Sequence, residues 1–597
     1  MEDALKKQDV SVASGETVVT AFAHLYASAK RLVIVRKAEA VCGALLLLMA
    51  VNLFAAISRK SITNDEIVHI PAGYYHLVAG EFQLNNEHPP LVKMWAALPL
   101  LIVQPDEPPA PKTDDENFME RTWGFHERFW QANQARFQTV TFWPRLMMIP
   151  ITLALGALIF VLARKLFGET AALIAVALYV LEPTVLAHGR VVHTDVPAAL
   201  AYLLFFFVLH RYSEAPGTKR ALILGLVCGV ALLTKFSMLV LLPVLAIYFL
   251  ARLFIYRRDR KQLKQILFHS ALITEVVLFL VNAAYYFQRP VLEASDVRWV
   301  AMKSPALVGF VTTFVRLASY LVPTYYLFGV YNIELHIHFG HATSLLGQYN
   351  DLGWWYYFPV AFALKTTIPF LLLAIVALGW SVWRFVRRDW RFLWLVVPVG
   401  IYLAISLTSH INIGIRHFLP IYPFLFIAGG ALLAQLLQAR RLVGIPVLIL
   451  LLGWMSFEAM RTFPNYTPYM NQLASGHPHW YYLSDSNVEW GDDVNALADY
   501  LKARGETKVS AALSAGWSTL GRYGVDYLDM VSLPPDKTPE TRYVAIGASF
   551  LNGSVIPGDE NVVGRRSFER TNLFARYRDR KPEAVFGNSI YLFREHE

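Results

Sequence analysis

Residues 61–91 read SITNDEIVHIPAGYYHLVAGEFQLNNEHPPL and follow directly on the first long apolar run of the chain. Asp65, Glu66, His69, His76, Glu87 and His88 fall within 24 residues of one another, at the edge of a bilayer-length apolar segment. Ionisable groups close to hydrocarbon are costly, so such a cluster points to chemistry at a membrane face. The stretch therefore divides the chain into apolar spans and polar loops that carry the work.

The composition agrees. Of 597 residues, 55% are hydrophobic and 17% charged, against roughly 25% charged in an ordinary soluble domain. The net charge is +9. From Arg461 onward there are 15 Lys/Arg and 17 Asp/Glu, so the surplus lies wholly in the earlier part. Its placement between apolar runs reads as membrane topology and excludes a nucleic-acid footprint. Cys42 and Cys228 are the only cysteines, each inside an apolar run, which excludes a disulfide framework. The first 37 residues carry no signal-peptide pattern.

Eleven spans are predicted, at 38–57, 144–163, 169–187, 196–210, 221–234, 238–255, 266–286, 356–383, 391–408, 417–437 and 442–460. Lys30, Arg31, Arg36, Lys37, Arg164, Lys165, Arg211, Lys219, Arg220 and the runs YRRDRKQLK, RFVRRDWR and ARR all fall on one side of that pattern. The positive-inside bias then makes residues 1–37 a cytoplasmic segment, and the odd count puts residues 461–597 outside. Residues 38–460 form the membrane module, with long outer loops at about 58–143 and 288–355. LVKMWAALPLLIV from Leu91 and ALVGFVTTFVRLASYLVPTYYLFG from Ala306 are expected to lie in the interface. From Arg461 the pattern changes to a small α/β domain: a helix ending at Gly505, with strands at KVSAALS, RYVAIGASFL and SIYLF. The fold class is thus mainly α, polytopic, with a C-terminal α/β domain.

On this topology the outer face also presents Arg190, His193 and Asp195, then His336, His338 and His341, then His410, Arg416 and His417. Glu66 has a structural reading as a first-turn acid of a helix starting near Asn64, and Lys365 as a snorkelling lysine. Asp65, Asp195 and Arg416 stand where a structural loop would use Ser or Asn. Carboxylates suit general-base work or metal binding, and arginines suit a phosphate. A phosphate with an apolar tail at the bilayer surface is a lipid phosphate, and a sugar on a polyprenyl phosphate meets all of these demands. Arg416 has no acid near it in sequence, the nearest being Asp389 and Glu458, so a lipid phosphate is the anion expected to pair with it.

With NDEIVH, NEHPPL, RVVHTD, GWWYYFPVAFALKTTIP, IGIRHFLPIYPFL and DSNVEWGDDVNALADYL in this order, the chain resembles the integral-membrane GT-C glycosyltransferases. The likeness is to the protein O-mannosyltransferase and lipid A aminoarabinose transferase branch. That branch carries Lys before the Pro pair where this chain has His88, so a lysine role does not transfer. The resemblance implies an inverting transfer from a polyprenyl-phosphate sugar to a protein, lipid or glycan acceptor, at the outer face of a bacterial-type inner membrane. Asp65 would be the catalytic base, with Glu66 and Asp195 supporting acceptor or metal. Arg416 and Arg190 would hold the donor phosphate, with Arg316 and Lys365 as further candidate cations. His69, Glu87, His88 and His193 would support, and a divalent ion is left open. A flippase would need mid-membrane ionisable groups and often internal repeats. An inactive lipid-binding relative would not need both Asp65 and Asp195.

Overall fold

The computed structural model describes residues 37–108, 124–533, 539–556 and 571–596. The segment assigned to the cytoplasm lies outside them except for Lys37. Among the described residues nine helices are long and apolar enough to cross a membrane: Lys37–Ile57, Gln134–Phe167, Asp195–Glu214, Phe236–Ile255, Arg260–Ala284, Ile368–Val386, Trp390–Thr408, Ile415–Ala439 and Arg441–Thr462. The protein is a multi-pass, mainly helical membrane protein.

The remaining two expected spans are present as shorter pieces. Residues 221–234 belong to Thr218–Leu232, 15 residues long, which rises about 22 Å, less than a hydrocarbon core of about 30 Å. Residues 169–187 are two helices, Glu169–Leu181 and Pro183–His188. Pro183 disfavours helical geometry in the residue before it, and Glu182 is extended at φ −80, ψ 117. The span expected at 356–383 is likewise broken, into Tyr357–Lys365 and Ile368–Val386, with Thr366 and Thr367 extended. The two breaks staple each other. Thr367 donates from Oγ1 to Glu182 Oε2 at 2.9 Å, and Thr184 Oγ1 donates to the Lys365 carbonyl at 2.8 Å. Broken backbone among apolar helices persists only where its polar groups are met this way.

The expected first outer loop is largely helical. It contains Asn64–Val78, Leu91–Ala97, Leu100–Val103 and Phe125–Ala132, and helix resumes at Gln134 and continues through Phe137, before the expected end at 143. Ile67, Ile70, Tyr74, Ala96, Leu100, Phe129 and Trp130 bury together beneath it as a core of their own. The stretch from Leu91 is two-faced as an interfacial segment should be: Val92 and Ala96 are buried, Trp95 and Ile102 exposed. A Cβ on Gly73 would collide with the Lys93 carbonyl, so the bare backbone lets these helices cross. In the second loop Val308–Ala318 buries Val311 and Val315 and exposes Phe310, Phe314 and Leu317.

The C-terminal domain is a five-stranded sheet, in order β4-β3-β5-β7-β6, with β3 Lys508–Ala512, β4 Asp526–Asp529, β5 Tyr543–Gly547, β6 Ala584–Phe586 and β7 Ile590–Arg594. A separate hairpin, β1 Thr343–Leu345 with β2 Gln348–Asn350, belongs to the second outer loop. β3 is parallel to β4 and β5; β7 is antiparallel to β5 and β6. The three expected strands are present, and the short β4 and β6 join them at the edges. Alternation places Val509, Ala511, Tyr543, Ala545, Ile590 and Leu592 against Val494, Leu497, Ala498 and Leu501 of the helix Val494–Lys502. The opposite residues, among them Val544, Ile546, Tyr591 and Phe593, join the core of the membrane body.

The basic clusters gather at one end of the bundle. Arg164 pairs with Glu39 at 2.7 Å and Lys165 with Glu214 at 2.5 Å, and Arg391 lies over Phe167. The segments carrying Asp65, Asp195, Lys235 and Arg416 meet at the other.

Candidate active site at the domain junction

A cavity of about 810 Å³ opens where the start of Asn64–Val78, the loop 85–88, residues 235–239, the helix Thr324–Phe339, residues 409–417 and the C-terminal domain converge. One part of its wall is apolar, with Phe236, Leu239, Val330, Ile333, Ile337 and Ile405.

Asp65 and Glu66 are consecutive in the first turn of a helix, about 100° apart around its axis, so they cannot serve one place. Asp65 faces the cavity. Its Oδ2 accepts Arg416 Nη1 at 2.6 Å and its Oδ1 accepts the Trp490 indole N–H at 3.2 Å. Burial works against its charge, but Arg416, His69 and the Trp490 N–H outweigh that and hold the carboxyl below its ordinary value. Glu66 points away and is fully buried. It accepts Thr63 N, Val192 N and two donors of Arg145 at 2.7–2.9 Å.

Arg416 closes a charged group. Its Nε donates to Ser486 Oγ at 2.9 Å, its Nη1 also stands 3.6 Å from Asp195, and its guanidinium carbon lies 4.7 Å from the Trp490 ring centroid. Nη2 has no hydrogen-bond partner among the described residues. Asp195 is buried and pairs with Lys235 Nζ, while His193 Nδ1 donates to its other oxygen at 2.7 Å. Lys235 lines the cavity.

Three further residues of the opening stretch face the cavity: His69, Glu87 and His88. His69 Nδ1 donates to the Val192 carbonyl at 3.0 Å, and burial pushes its pKa down to about 4. The ring is neutral, with Nε2 left as an acceptor. Glu87 is exposed to the cavity and makes no hydrogen bond or ion pair among the described residues. Desolvation in that recess, and then the Asp65 charge, push its carboxyl up. From the C-terminal domain come Asp485, pushed by burial up to about 6, and Glu489, pushed by burial up to about 8.

Residues 137–285 match the family model Dolichyl-phosphate-mannose-protein mannosyltransferase. The matched quarter of the chain carries Asp195 and Lys235 and excludes Asp65 and Arg416. No curated protein matches the chain. Among solved structures the chain is similar to ArnT from Cupriavidus metallidurans bound to undecaprenyl phosphate, at 12% identity and TM-score 0.45, covering 89% of this chain and 97% of that one. It is also similar to the apo oligosaccharyltransferase of Archaeoglobus fulgidus, at 10% identity and TM-score 0.47, covering 87% and 70%. Over residues 137–285 the family-model match agrees with the mannosyltransferase branch that the sequence motifs resemble.

Several sequence assignments change on this geometry. Glu66 is a helix-start acceptor and an Arg145 partner, away from the cavity. Arg190 is buried against Asp492 at 2.7 Å and does not line the cavity. Lys365 is consumed by the carbonyls of Thr467 and Asn487 at 2.5 and 2.6 Å. Arg316 is exposed on the helix Val308–Ala318, outside the cavity wall. His193 contacts Asp195 and does not line the cavity. The argument that Arg416 lacks a protein carboxylate is overturned, because folding brings it to Asp65, 351 positions away. Among the described residues no three His, Cys, Asp or Glu side chains gather as a metal site; His69 and His88 meet edge to face, with ring centroids 5.2 Å apart.

Sequence reasoning passed over Lys235, Trp490, Asp485 and Glu489. Lys235 did leave a signal: a cation between two spans on the face where the positive-inside bias expects none. Trp490 left none, since only folding brings it to Asp65.

Proposed function

We propose that the protein transfers a glycosyl group from a polyprenyl-phosphate donor to an acceptor at the outer membrane face, with inversion by single displacement. The observation that carries this reading is Asp65, a carboxylate on the wall of a half-apolar cavity, held ionised and oriented by Arg416 and Trp490. The lipid chain lies along Phe236, Leu239, Ile333 and Ile405, and its phosphate sits at Lys235 and the unshared Nη2 of Arg416. Asp65 takes the proton of the acceptor hydroxyl or amine. The freed acceptor atom bonds to the anomeric carbon as the bond from that carbon to the phosphate oxygen breaks. Polyprenyl phosphate leaves with the electron pair, its charge met by Lys235 and Arg416. Glu87, without a partner among the described residues, stands on the same wall as Asp65 to hydrogen-bond the arriving acceptor.

Replacing Asp65 by Asn keeps an acceptor for Trp490 and removes the base. Turnover of a polyprenyl-phosphate sugar by purified Asp65→Asn should fall by about 10²–10⁴, with thermal stability near that of the parent. Activity within threefold of the parent would remove Asp65 from its role.

A further inference from the structure

The cavity has two chemically opposite walls. Lys235 and Arg416 stand on the membrane side. The facing wall comes from the C-terminal domain, with Asp485, Glu489, Ser514 and Trp517. We propose that this second wall is a binding subsite for a pyranose ring. The proposal rests on the reading of the cavity as a glycosyl-transfer site and adds which surface holds the sugar.

Four observations carry it. Trp517 is 42% exposed and stands on the cavity wall that the sheet domain provides. An indole face of this kind covers the C–H face of a sugar. Glu489 joins the carboxyl ends of the two parallel strands: its Oε1 accepts Ser514 N at 2.7 Å beyond β3, and its Oε2 accepts Ser549 N at 3.0 Å beyond β5. The crevice outside the carboxyl ends of parallel strands is where open α/β sheets bind ligands. Asp485 is tied to the same place, its N–H donating to Ser549 Oγ at 2.8 Å. Finally, the chain leaves β3 through Ala515 at φ +60, packed against Gly491. That strained turn precedes Trp517 on the cavity wall, and such strain persists where surrounding structure enforces it.

The chemistry selects the occupant. Lys235 and Arg416 are the lysine and arginine among the lining residues, so the donor anion belongs with them. Beyond the backbone donors that they accept, the Asp485 and Glu489 carboxyls keep hydrogen-bonding capacity that suits a sugar hydroxyl. A peptide binding by strand addition needs an open edge, and β3 and β5 are interior strands.

The test uses the full chain in phospholipid nanodiscs. Undecaprenyl phosphate, undecaprenyl-phosphate mannose and free mannotriose are titrated against the parent, Trp517→Ala and Trp517→Phe. The expected result is a loss of about tenfold in affinity for the mannosyl lipid or for mannotriose in Trp517→Ala. Trp517→Phe should recover part of it, and undecaprenyl phosphate should bind all three proteins alike. Loss at the mannosyl lipid assigns the ring to the donor; loss at mannotriose alone assigns it to a glycan acceptor. Should Trp517→Ala not fold, mannotriose should protect Trp517 of the parent from N-bromosuccinimide, as read by mass spectrometry. Equal affinities for both saccharide probes in all variants, or no protection, overturn the subsite while leaving the phosphate reading intact. Failure of undecaprenyl phosphate to bind the parent overturns the transfer reading and the subsite together.

Discussion

Asp65 and Glu66 show how neighbouring acids acquire different work. Glu66 and Arg145 form a buried pair with every strong donor engaged. Removing one partner leaves an uncompensated charge in the interior, at a cost of about 3–5 kcal/mol. Arg145→Met should therefore lower the thermal midpoint in detergent sharply. The double variant Arg145→Met/Glu66→Gln should recover part of that loss, because no lone charge remains. Arg416 carries a different expectation. Its fork serves Asp65 and Ser486 together and leaves Nη2 without a partner among the described residues, a geometry that Lys cannot copy. Arg416→Lys should weaken undecaprenyl-phosphate binding by roughly ten- to a hundredfold, the equivalent of one charge-assisted hydrogen bond, and Arg416→Ala should weaken it further. Unchanged affinity with lowered stability would make Arg416 a holder of Asp65 alone.

The segment 484–493, SDSNVEWGDD, acts as a strap between the two parts of the molecule. Ser486 holds Arg416, Asn487 accepts Ile415 N at 2.9 Å, Trp490 holds Asp65, Asp492 pairs with Arg190, and Asp493 pairs with Lys60. Within it Glu489 gives a pH dependence of definite sign. Unfolded, it ionises near 4.5; folded, near 8. Across that window the folded chain holds the extra proton, so stability falls as pH rises. Asp485 adds to the lower part of the window, between 3.8 and about 6. Burial lowers Lys93 to about 7, which acts with the opposite sign above neutrality, so the comparison of parent with Glu489→Gln isolates the effect: from pH 5 to 8.5 the thermal midpoint of the parent should fall relative to that of the variant. A difference that is constant or grows with pH would contradict this.

The molecule as a whole is polarised. Basic loops and their ion pairs, Arg164 with Glu39 and Lys165 with Glu214, lie at one end; the cavity and the sheet domain lie at the other. On the positive-inside bias the first end is expected to be the cytoplasmic one. An alkaline phosphatase fusion after Glu597 should be active and a green fluorescent protein fusion there dark. The reverse pair of results would invert the topology and move the site to the cytoplasm.

Periodicity and composition alone were enough for the membrane class, most of the spans, the basic end and the α/β pattern after Arg461, because each rests on residues close in sequence. The helix-start role of Glu66 was also legible locally, as a first-turn acid. The rest of the site was not. The spans expected at 169–187 and 356–383 read as continuous apolar runs, and only packing showed their breaks and paired them through Glu182 and Thr367. Arg416 had no carboxylate near it in sequence because its partner lies 351 positions away, and Arg190 and Lys365 looked free because Asp492 and Asn487 of the strap, and Thr467 before it, reach them only in the folded chain. Electrostatic pairing depends on distance in space, and in a bundle of long helices the loops that meet at one end come from across the whole chain.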